Sequence, residues 1–440
     1  MLIRKLSALL AILTAFSFGQ TSKNVINLDK AIEMALQRNI TVLQSKNNVE
    51  SQQSTYQSAI GGLLPNLNAS GSFNRTQSWQ EVTGLLGDQT LFSARNLYSS
   101  GISSNVTLFN GFANIANVNR SNSNIRSSEY SFERVKQSII YQTHQLFLNV
   151  VRTHQLLKVN EENLKRSNRQ LERIEEMNRV GAVSLADVYR QRVTTGNDEL
   201  AFINAQNNFE KAKADLALFL SIDTPHEFDV AGVSIEVDTS EFALVIEKYR
   251  DKAALAKIAI ESRPDYQSTT QNVRSAQSSL TIARSGLYPI VSANASYGLS
   301  DNELANISDN RSLSTGVTLS LPIFSGFQTK NAIEQAIITQ RNADDLLKQN
   351  ERQISVDIQK AQLDIEAAQK QVKVTQASVF SAEMDRKIAE EKYNLGAGTL
   401  LDLLIASANY INAQSNQVNA AISYLLSKKQ MEYALGTISN

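Results

Sequence analysis

The residues that most often carry out catalysis or bind metal ions are few and scattered in this sequence. The chain contains no cysteine, which excludes disulfide bonds and thiolate metal sites. Its three histidines are too widely spaced to form a local metal site: His144, His154 and His226. No nucleophile elbow, phosphate-binding loop or zincin motif is present. Motifs therefore predict neither an enzyme nor a bound cofactor or metal.

The clearest functional signal is a short motif that occurs twice, at residues 180–188 and 395–403. The equivalent positions lie 215 residues apart (396 minus 181): Gly181 and Gly396, Ser184 and Thr399, Asp187 and Asp402. Glycine tolerates the left-handed conformation that ends many helices. Ser or Thr can accept hydrogen bonds from the free N–H groups of the next helix, and a following Asp suits its positive end. Each copy therefore predicts the tip of a helical hairpin.

One such tip is what any helical hairpin needs, so a single copy carries little functional meaning. Two copies, each preceded by a stretch of about seventy residues without proline, indicate a duplicated architecture. The tips present small and apolar residues on a turn with no evident core, and exposed apolar turns often mark interaction sites. We therefore expect a partner protein to contact Gly181, Ala182, Val183, Leu185, Gly396, Ala397, Thr399 and Leu400.

Composition places the chain among exported proteins with long polar helices. Residues 1–19 read as a signal peptide, with Arg4 and Lys5 before a short apolar run and cleavage near Gly19–Gln20. The 43 basic and 43 acidic residues balance, so nothing suggests a nucleic-acid partner. Beyond the signal, no run of eighteen apolar residues predicts a transmembrane helix.

The two halves repeat the same order of elements. Residues 113–179 and 329–394 each read as one helix of about 100 Å with a heptad seam, which is typical of coiled coils. Shorter helices are predicted at residues 27–60 and 253–285. The first repeat then covers residues 20–245, with a hairpin at 112–220, its tip at 181–187 and a connector at 221–245. The second covers residues 246–440, with a hairpin at 326–436 and its tip at 396–402.

Four segments of about eleven residues alternate between apolar and polar side chains, which suits tilted transmembrane strands. They span residues 63–74, 101–109, 288–300 and 312–323, and residues 75–99 read as a long loop. We expect outer-membrane lipid to contact Val106, Val291, Val317 and Leu319. We expect water to contact Asn68, Asn105, Asn294 and Thr318. A soluble sandwich would also give alternating strands, but four isolated strands in a helical chain do not make a sandwich.

Open strand edges cannot exist in hydrocarbon, and a closed membrane barrel needs about eight strands. The copies must therefore pool their strands as a dimer or trimer. The helices would then form a second, coaxial barrel of coiled coils whose tips lie far from the membrane.

These features resemble the TolC family of outer-membrane efflux ducts. The resemblance covers nearly the whole mature chain and rests on the two tips, the proline-containing strand starts and the Phe-x-Gly-Phe strand exits at residues 109–112 and 324–327. It implies a mostly α-helical homotrimer in the outer membrane of a Gram-negative-type bacterium. Twelve pooled strands would form a β-barrel, continued by a long α-helical tunnel. Docking to a periplasmic adaptor and an inner-membrane pump is also implied, for efflux or type I secretion.

The resemblance also implies a gate at the periplasmic tips. In the family a Tyr before the second tip and an Asp after the first help to hold the tunnel closed, and Tyr393 and Asp187 match them. Asp402 matches an Asp after the second tip. Gly398 stands where the family's model member has an Arg, and Ile405 replaces a second acidic residue, so ion pairing in the closed state is not expected from those two positions.

The alternative function is an exported coiled-coil adaptor or structural protein of the cell envelope without a pore. An adaptor has helical hairpins, but it needs small β-domains with ordinary cores rather than four strands of membrane length. The sequence leaves the cargo and the identity of pump and adaptor open.

Overall fold

The computed structural model describes residues 24–84, 87–223, 228–230 and 237–439. The predicted signal peptide lies outside these residues. In chain order the first half contains β1 (Asn24–Ile26), α1 (Leu28–Arg38), α2 (Ile40–Gly61), β2 (Asn66–Gly84), β3 (Gly87–Asn110), α3 (Ala113–Arg179) and α4 (Leu185–Phe219). The second half contains β4 (Phe228–Val230), α5 (Phe242–Lys248), α6 (Lys252–Ser262), α7 (Pro264–Ser285), β5 (Ile290–Asp301), β6 (Arg311–Ser320), α8 (Gln328–Asn394) and α9 (Leu400–Leu435).

The duplication predicted from the tips extends through the helices. α6 and α7 repeat α1 and α2 with the same lengths at an offset of 224, the difference between 252 and 28. α3 and α8 each contain 67 residues and lie 215 positions apart, the difference between 328 and 113. At 1.5 Å per residue each spans ~100 Å. The two offsets differ because the first strand hairpin is longer than the second.

The prediction of one continuous helix at residues 27–60 is wrong, because the helix breaks at Asn39. This residue is extended, and its side-chain oxygen accepts a hydrogen bond from the N–H of Thr41, which starts α2. Its amide also donates to the carbonyl oxygen of Phe219 at 3.2 Å, at the end of α4. The prediction of one helix at residues 253–285 is wrong in the same way, because the chain breaks before Pro264, which cannot continue the hydrogen bonding of α6.

The prediction of a long loop at residues 75–99 is also wrong, because β2 and β3 form an antiparallel hairpin through most of it. Their register runs without interruption from the Asn66–Asn105 pair to the Gly84–Gly87 pair. Two cross-strand aromatic pairs stabilise it: the rings of Phe73 and Tyr98 are 4.8 Å apart and those of Trp79 and Phe92 are 5.4 Å apart. The glycine, serine and asparagine content that suggested a loop is compatible with strands that pair on only one side.

The four long strands form one antiparallel sheet in the order β2-β3-β5-β6. Residues directly opposite in such a sheet point to the same face. Val106 lies opposite Ala293, which lies opposite Val317, while Val291 lies opposite Leu319. The four residues expected to contact lipid therefore share one face. The same register places Asn68, Asn105, Asn294 and Thr318 together on the other face.

Each strand pair passes into its long helix through the same tight turn. Gly111 and Phe112 both have positive φ, at 63° and 68°, and Gly326 and Phe327 repeat this at 58° and 64°. The two phenylalanines of each Phe-x-Gly-Phe segment pack edge to face, with centroids 5.4 and 5.7 Å apart. A Cβ on Gly111 would lie 2.8 Å from the carbonyl oxygen of Ser285, so glycine is required by both conformation and space.

The helices pack side by side along their length. α3 contacts α2 and α7 on the side toward the sheet, and α4 and α9 on the side toward the tips. The largest buried cluster joins α1, α3, α4 and α9 around Phe147, Val150 and Leu216. Among the described residues no helix is both long enough and apolar enough to cross a membrane.

Candidate functional site

Both hairpin tips end their long helix with the same hydrogen-bonded turn. Gly181 and Gly396 have φ of 79° and 73°, in the left-handed region as predicted. The N–H of Ala182 donates to the carbonyl oxygen of Met177 at 2.8 Å, and the N–H of Ala397 donates to that of Lys392 at 2.8 Å. These six-residue bonds, with the shorter bonds from the glycine N–H groups, define the Schellman motif.

The return helices begin at the predicted caps. The Ser184 hydroxyl accepts a hydrogen bond from the N–H of Asp187 at 3.2 Å, and the Thr399 hydroxyl accepts one from the N–H of Asp402 at 3.2 Å. Asp402 completes a capping box, because its carboxylate accepts from the N–H of Thr399 at 3.2 Å. Hydrogen bonds from the Thr399 side chain and backbone hold the pKa of Asp402 below its ordinary value. The negative charge therefore remains at the positive end of α9.

The expectation that the tips have no core of their own is wrong. Ile174, Val188, Tyr393, Leu400 and Leu403 form a buried cluster between the two hairpins. Leu400 is 3% exposed, so this tip residue does not present an apolar surface to a partner in this conformation.

Leu185, at the position equivalent to Leu400, is 57% exposed. Two further apolar residues are strongly exposed where the long helices end, Val180 and Leu395. The exposed apolar side chains that the tips offer a partner are therefore Val180, Leu185, Leu395 and Leu401, whereas Leu400 is buried.

The structure places the predicted gate residues near each other without joining them. Burial, and then the nearby Asp187 carboxylate, raise the pKa of Tyr393. Within the described chain the Tyr393 hydroxyl is buried and has no hydrogen-bond partner. Asp187 instead accepts hydrogen bonds from Ser184 at 2.7 Å and from Arg190 at 3.0 Å. Tyr393 and Asp187 are thus neighbours, and no hydrogen bond links them inside one chain.

Gly398, where the family's model member carries Arg, lies closely against the end of α8. A Cβ at this position would lie 3.0 Å from the Cβ of Lys392 and 3.3 Å from the backbone nitrogen of Tyr393. The backbone here leaves little room for a side chain, so the absence of the arginine is coupled to the local turn geometry.

A second candidate surface lies nearer the sheet, where α7 packs on α3 through small polar side chains. The hydroxyl oxygens of Ser127 and Ser268 lie 2.9 Å apart. Ser127 also donates to the side-chain oxygen of Asn272 at 2.7 Å, and Ser275 donates to that of Asn124 at 2.7 Å. These contacts join the two repeats of one chain.

Within the part of the chain that the structure describes, the duplicated counterparts of these residues make no such contacts between the repeats. Subtracting 224 from the α7 positions and adding 215 to the α3 positions gives Gln44, Asn48, Ser51, Thr339 and Asn342, all of which are exposed. Leu346, the counterpart of Ser131, is 58% exposed. α3 packs extensively on α7 and α9 of the other repeat, whereas the described part of α8 packs mainly on α7 and α9 of its own repeat. One face of α2 and one face of α8 are therefore open, and β2 and β6 are open edges of the sheet.

A family model described as outer membrane efflux protein matches residues 31–221 and 255–437. The chain belongs to the outer membrane efflux protein family. The resemblance found in the tips and strand exits is thereby confirmed. The chain is an outer-membrane protein with the general role of an efflux channel, and it is not an enzyme.

Relatives in this family are distant in sequence and similar in fold. The outer membrane protein TolC of Escherichia coli (strain K12) is 21% identical over 455 residues, covering 99% of this chain and 87% of TolC. The crystal structure of the outer membrane protein VceC from Vibrio cholerae has a TM-score of 0.80 at 18% identity, covering 93% and 96% of the two chains. The Campylobacter jejuni CmeC outer membrane channel has a TM-score of 0.79 at 20% identity, covering 93% of this chain and 85% of CmeC.

Sequence reasoning missed the open faces of α2 and α8. Their residues are ordinary polar side chains on polar helices, so no motif marks them. The signal was nevertheless present in the two offsets, because aligning the repeats shows which residues of one half lack the contacts made by the other.

Proposed function

We propose that this channel is the exit duct of a tripartite efflux or type I secretion system and works as a homotrimer. Its twelve pooled strands close a β-barrel in the outer membrane, and its helices continue as a tunnel across the periplasm. A periplasmic adaptor meets the tips and an inner-membrane pump delivers the cargo. The duct itself conducts passively.

The main support for this proposal comes from the faces of α2 and α8 that are left uncovered in a single chain. Inside one chain α7 packs on α3, and the copies of these two faces, on α2 and α8, are left exposed. If neighbouring chains pack as the two repeats pack inside one chain, α8 of one copy lies against α2 of the next. In the same arrangement β6 of one copy pairs with β2 of the next. A head-to-tail contact of this kind closes into a ring when the rotation allows it.

Membrane insertion is supported by the sheet. Open edges are costly in hydrocarbon, where no water can pair with the exposed N–H and C=O groups. Ring closure between copies removes both edges. The face that carries Val106, Val291, Val317 and Leu319 then lies against outer-membrane lipid, and the opposite, asparagine-rich face lines the water-filled interior.

Cross-linking tests the assembly directly, because the natural chain contains no cysteine. Gln44→Cys with Asn342→Cys places thiols at the copy of the Ser127–Ser268 contact. Oxidation should link neighbouring chains into a covalent trimer on a non-reducing gel. Ser127→Cys with Ser268→Cys is the matched control, since it should form a bond inside one chain and give no covalent oligomer.

A conductance measurement tests the channel function. The trimer, purified in detergent, should give defined conductance steps in planar bilayers. Failure of the Gln44–Asn342 pair to cross-link under conditions that oxidise the control would contradict the trimer. Cross-linked trimers that insert and never conduct would contradict the duct.

A further inference from the structure

A cavity of about 220 Å³ lies between the two hairpins, where α3, α4, α8 and α9 approach one another above the tips. Three nitrogen donors of side chains that line it are buried and have no hydrogen-bond partner in the described chain: Nη2 of Arg166, Nε2 of Gln170 and Nε of Arg386. Buried donors are normally paired, and each unpaired one costs about 1–3 kcal/mol. Three such donors belong to side chains that line one cavity, and a small rotation of these side chains would turn the donors toward an acceptor bound there.

Two of these donors belong to guanidinium groups that face the same ring. The Cζ atoms of Arg166 and Arg386 lie 5.9 and 5.4 Å from the centre of the Tyr410 ring. Burial, and then the positive charge of Arg386, lower the pKa of Arg166. The positive charges of Arg166 and Arg386 are thus held close together in a partly desolvated environment.

The carboxylates nearby do not neutralise this pair fully. Arg386 forms an ion pair with Glu390 at 2.8 Å, but the ion pair of Arg166 with Glu162 is long, at 3.9 Å, and Glu162 is largely exposed. The charged residues that line the cavity are Arg166, Arg169, Arg173, Arg386, Asp198 and Glu390. Four positive and two negative charges leave the cavity with an excess of positive charge.

We propose that this cavity is a binding site for a small oxyanion of the sulfate, phosphate or carboxylate class, held by Arg166, Gln170 and Arg386. An oxyanion supplies the acceptor that the three donors lack and screens the repulsion between the two guanidiniums. Guanidinium–oxyanion hydrogen bonds are among the stronger ones in proteins. The cavity has room for such an ion together with a few water molecules, since each water takes about 30 Å³.

The site goes beyond the duct function and does not depend on it, because one chain supplies every residue. An oxyanion would link α3 of the first hairpin to α8 of the second. It would thereby couple the relative position of the hairpins to the anion concentration around the tunnel wall.

Calorimetric titration of the full-length protein in detergent tests the proposal. Sodium sulfate, sodium phosphate and sodium glutarate are titrated separately at constant ionic strength maintained with sodium chloride. We expect saturable binding of one ion per chain for at least one of them, and the three arms show which class is preferred. Arg166→Gln and Arg386→Gln should each weaken binding by about ten-fold or more, since each removes a charge-assisted contact.

Arg179→Gln is the matched control, because Arg179 also lies on α3 but forms an exposed ion pair with Glu176. Its affinity should equal that of the wild type. The absence of saturable binding for all three anions would overturn the proposal, with water filling the cavity instead. Wild-type affinity in the Arg166→Gln, Arg386→Gln double variant would overturn it too.

A measurement on the unaltered protein covers the case in which the variants fail to fold. Crystals of the wild type are soaked in sodium selenate, whose selenium gives an anomalous signal. A peak between Arg166 and Arg386 supports the site, and a fully occupied selenate elsewhere with none in the cavity overturns it.

Discussion

The guanidinium of Arg263 donates a hydrogen bond to the carbonyl oxygen of Ala434 across 3.2 Å, at the end of α9. The first repeat makes the equivalent bond with a neutral amide, from Asn39 to Phe219. The residue at the break between the two short helices therefore pairs with the C-terminal carbonyls of the return helix in both halves. Arg263 additionally binds two carboxylates, those of Asp265 at 2.6 Å and Asp357 at 2.9 Å. The junction between α6 and α7 is therefore charged, whereas the junction between α1 and α2 is neutral.

We predict that Arg263→Gln destabilises the protein by about 3 kcal/mol, the lower end of the range for breaking a buried ion pair. The two carboxylates are partly exposed, which limits the cost. The melting temperature followed by circular dichroism should fall accordingly. Arg250→Gln, which removes an exposed pair with Glu247, is the control and should change stability by less than about 1 kcal/mol.

The pH dependence of the stability difference between Arg263→Gln and the wild type shows whether the ion pairs cause it. Burial raises the pKa of Asp265, but the hydrogen bond from Arg263 and the charge of Arg134 outweigh it and hold the pKa below the ordinary 3.8. The stabilisation is therefore complete above pH 3.8 and is lost as the pH falls through the lower folded value. An effect of Arg263→Gln that is equally large at strongly acidic pH would contradict the ion-pair explanation.

A second prediction concerns His144, which is buried on α3. Burial, and then the charge of Lys429, lower its pKa to about 4, against the opposing effect of Glu432 and Asp29. The unfolded chain takes up a proton near pH 6.5, whereas the folded protein does so only near pH 4. Stability is therefore lost as the pH falls between these values, by roughly 3 kcal/mol.

His144→Gln should flatten this part of the stability–pH curve, as measured by chemical denaturation at several pH values. His154→Gln is the control, because His154 is half-buried against Phe209 and should account for less of the slope. An unchanged slope between pH 6.5 and 4 in His144→Gln would exclude His144 as its source.

How far the sequence predicts this fold depends on the range of the interactions. The ends of α3 at Arg179 and of α8 at Asn394 were predictable because glycine and a cap follow each within five residues. The break at Asn39 was not, since Asn39 is followed by an ordinary isoleucine. The break before Pro264 was missed as well, although proline disfavours a continuous helix there. The strands at residues 75–99 are held by cross-strand aromatic pairs, which a reading of local composition does not detect.

In the candidate site, too, local features were predictable from the sequence and features that depend on long-range packing were not. The tip turns and caps are local and were predicted. The burial of Leu400 was missed because it depends on packing against α3, more than two hundred residues earlier. The same holds for Arg166 and Arg386, which only the packing of the two hairpins brings to one tyrosine ring.

A third prediction tests the membrane face of the sheet. Val317 is 69% exposed on the face that carries the aliphatic residues, and Thr318 is its neighbour on the other face. Val317→Arg should cost ~2–4 kcal/mol if it lies near the bilayer midplane, whereas Thr318→Arg faces water and should be tolerated. The amount of heat-modifiable trimer in outer-membrane fractions measures both. Equal losses at the two positions would contradict the assignment of faces.

A fourth prediction separates the two tips. Leu185→Asp should reduce export while leaving the amount of trimer unchanged, because its side chain is exposed and available to an adaptor. Leu400→Asp places a charge in the tip core and should lower the amount of trimer instead. Quantifying trimer and export of a fluorescent dye in the same cells distinguishes the effects. Full export by Leu185→Asp would remove Leu185 from the adaptor contact.

The last prediction concerns the gate. A buried hydroxyl without a partner costs about 1–3 kcal/mol, so the Tyr393 hydroxyl is favoured to find an acceptor when the trimer closes. Asp187 is close enough to raise its pKa, and an ionised carboxylate is a strong acceptor. We expect a small rotation of the tips in the closed trimer to bring the two into a hydrogen bond, in place of one of the bonds that Asp187 makes to Ser184 and Arg190.

Tyr393→Phe combined with Asp187→Ala should then shift the tips toward the open state. Single-channel conductance in planar bilayers should rise, and cells should become sensitive to bulky antibiotics. Tyr393→Phe alone is the sharper variant, because it keeps the ring in the cluster with Leu400 and Leu403 and removes only the hydroxyl. Tyr189→Phe, at an exposed position beside the first tip, is the control. If Tyr393→Phe stabilises the trimer and leaves its conductance unchanged, the hydroxyl remains unpaired in the closed state, and closure depends on the apolar cluster alone.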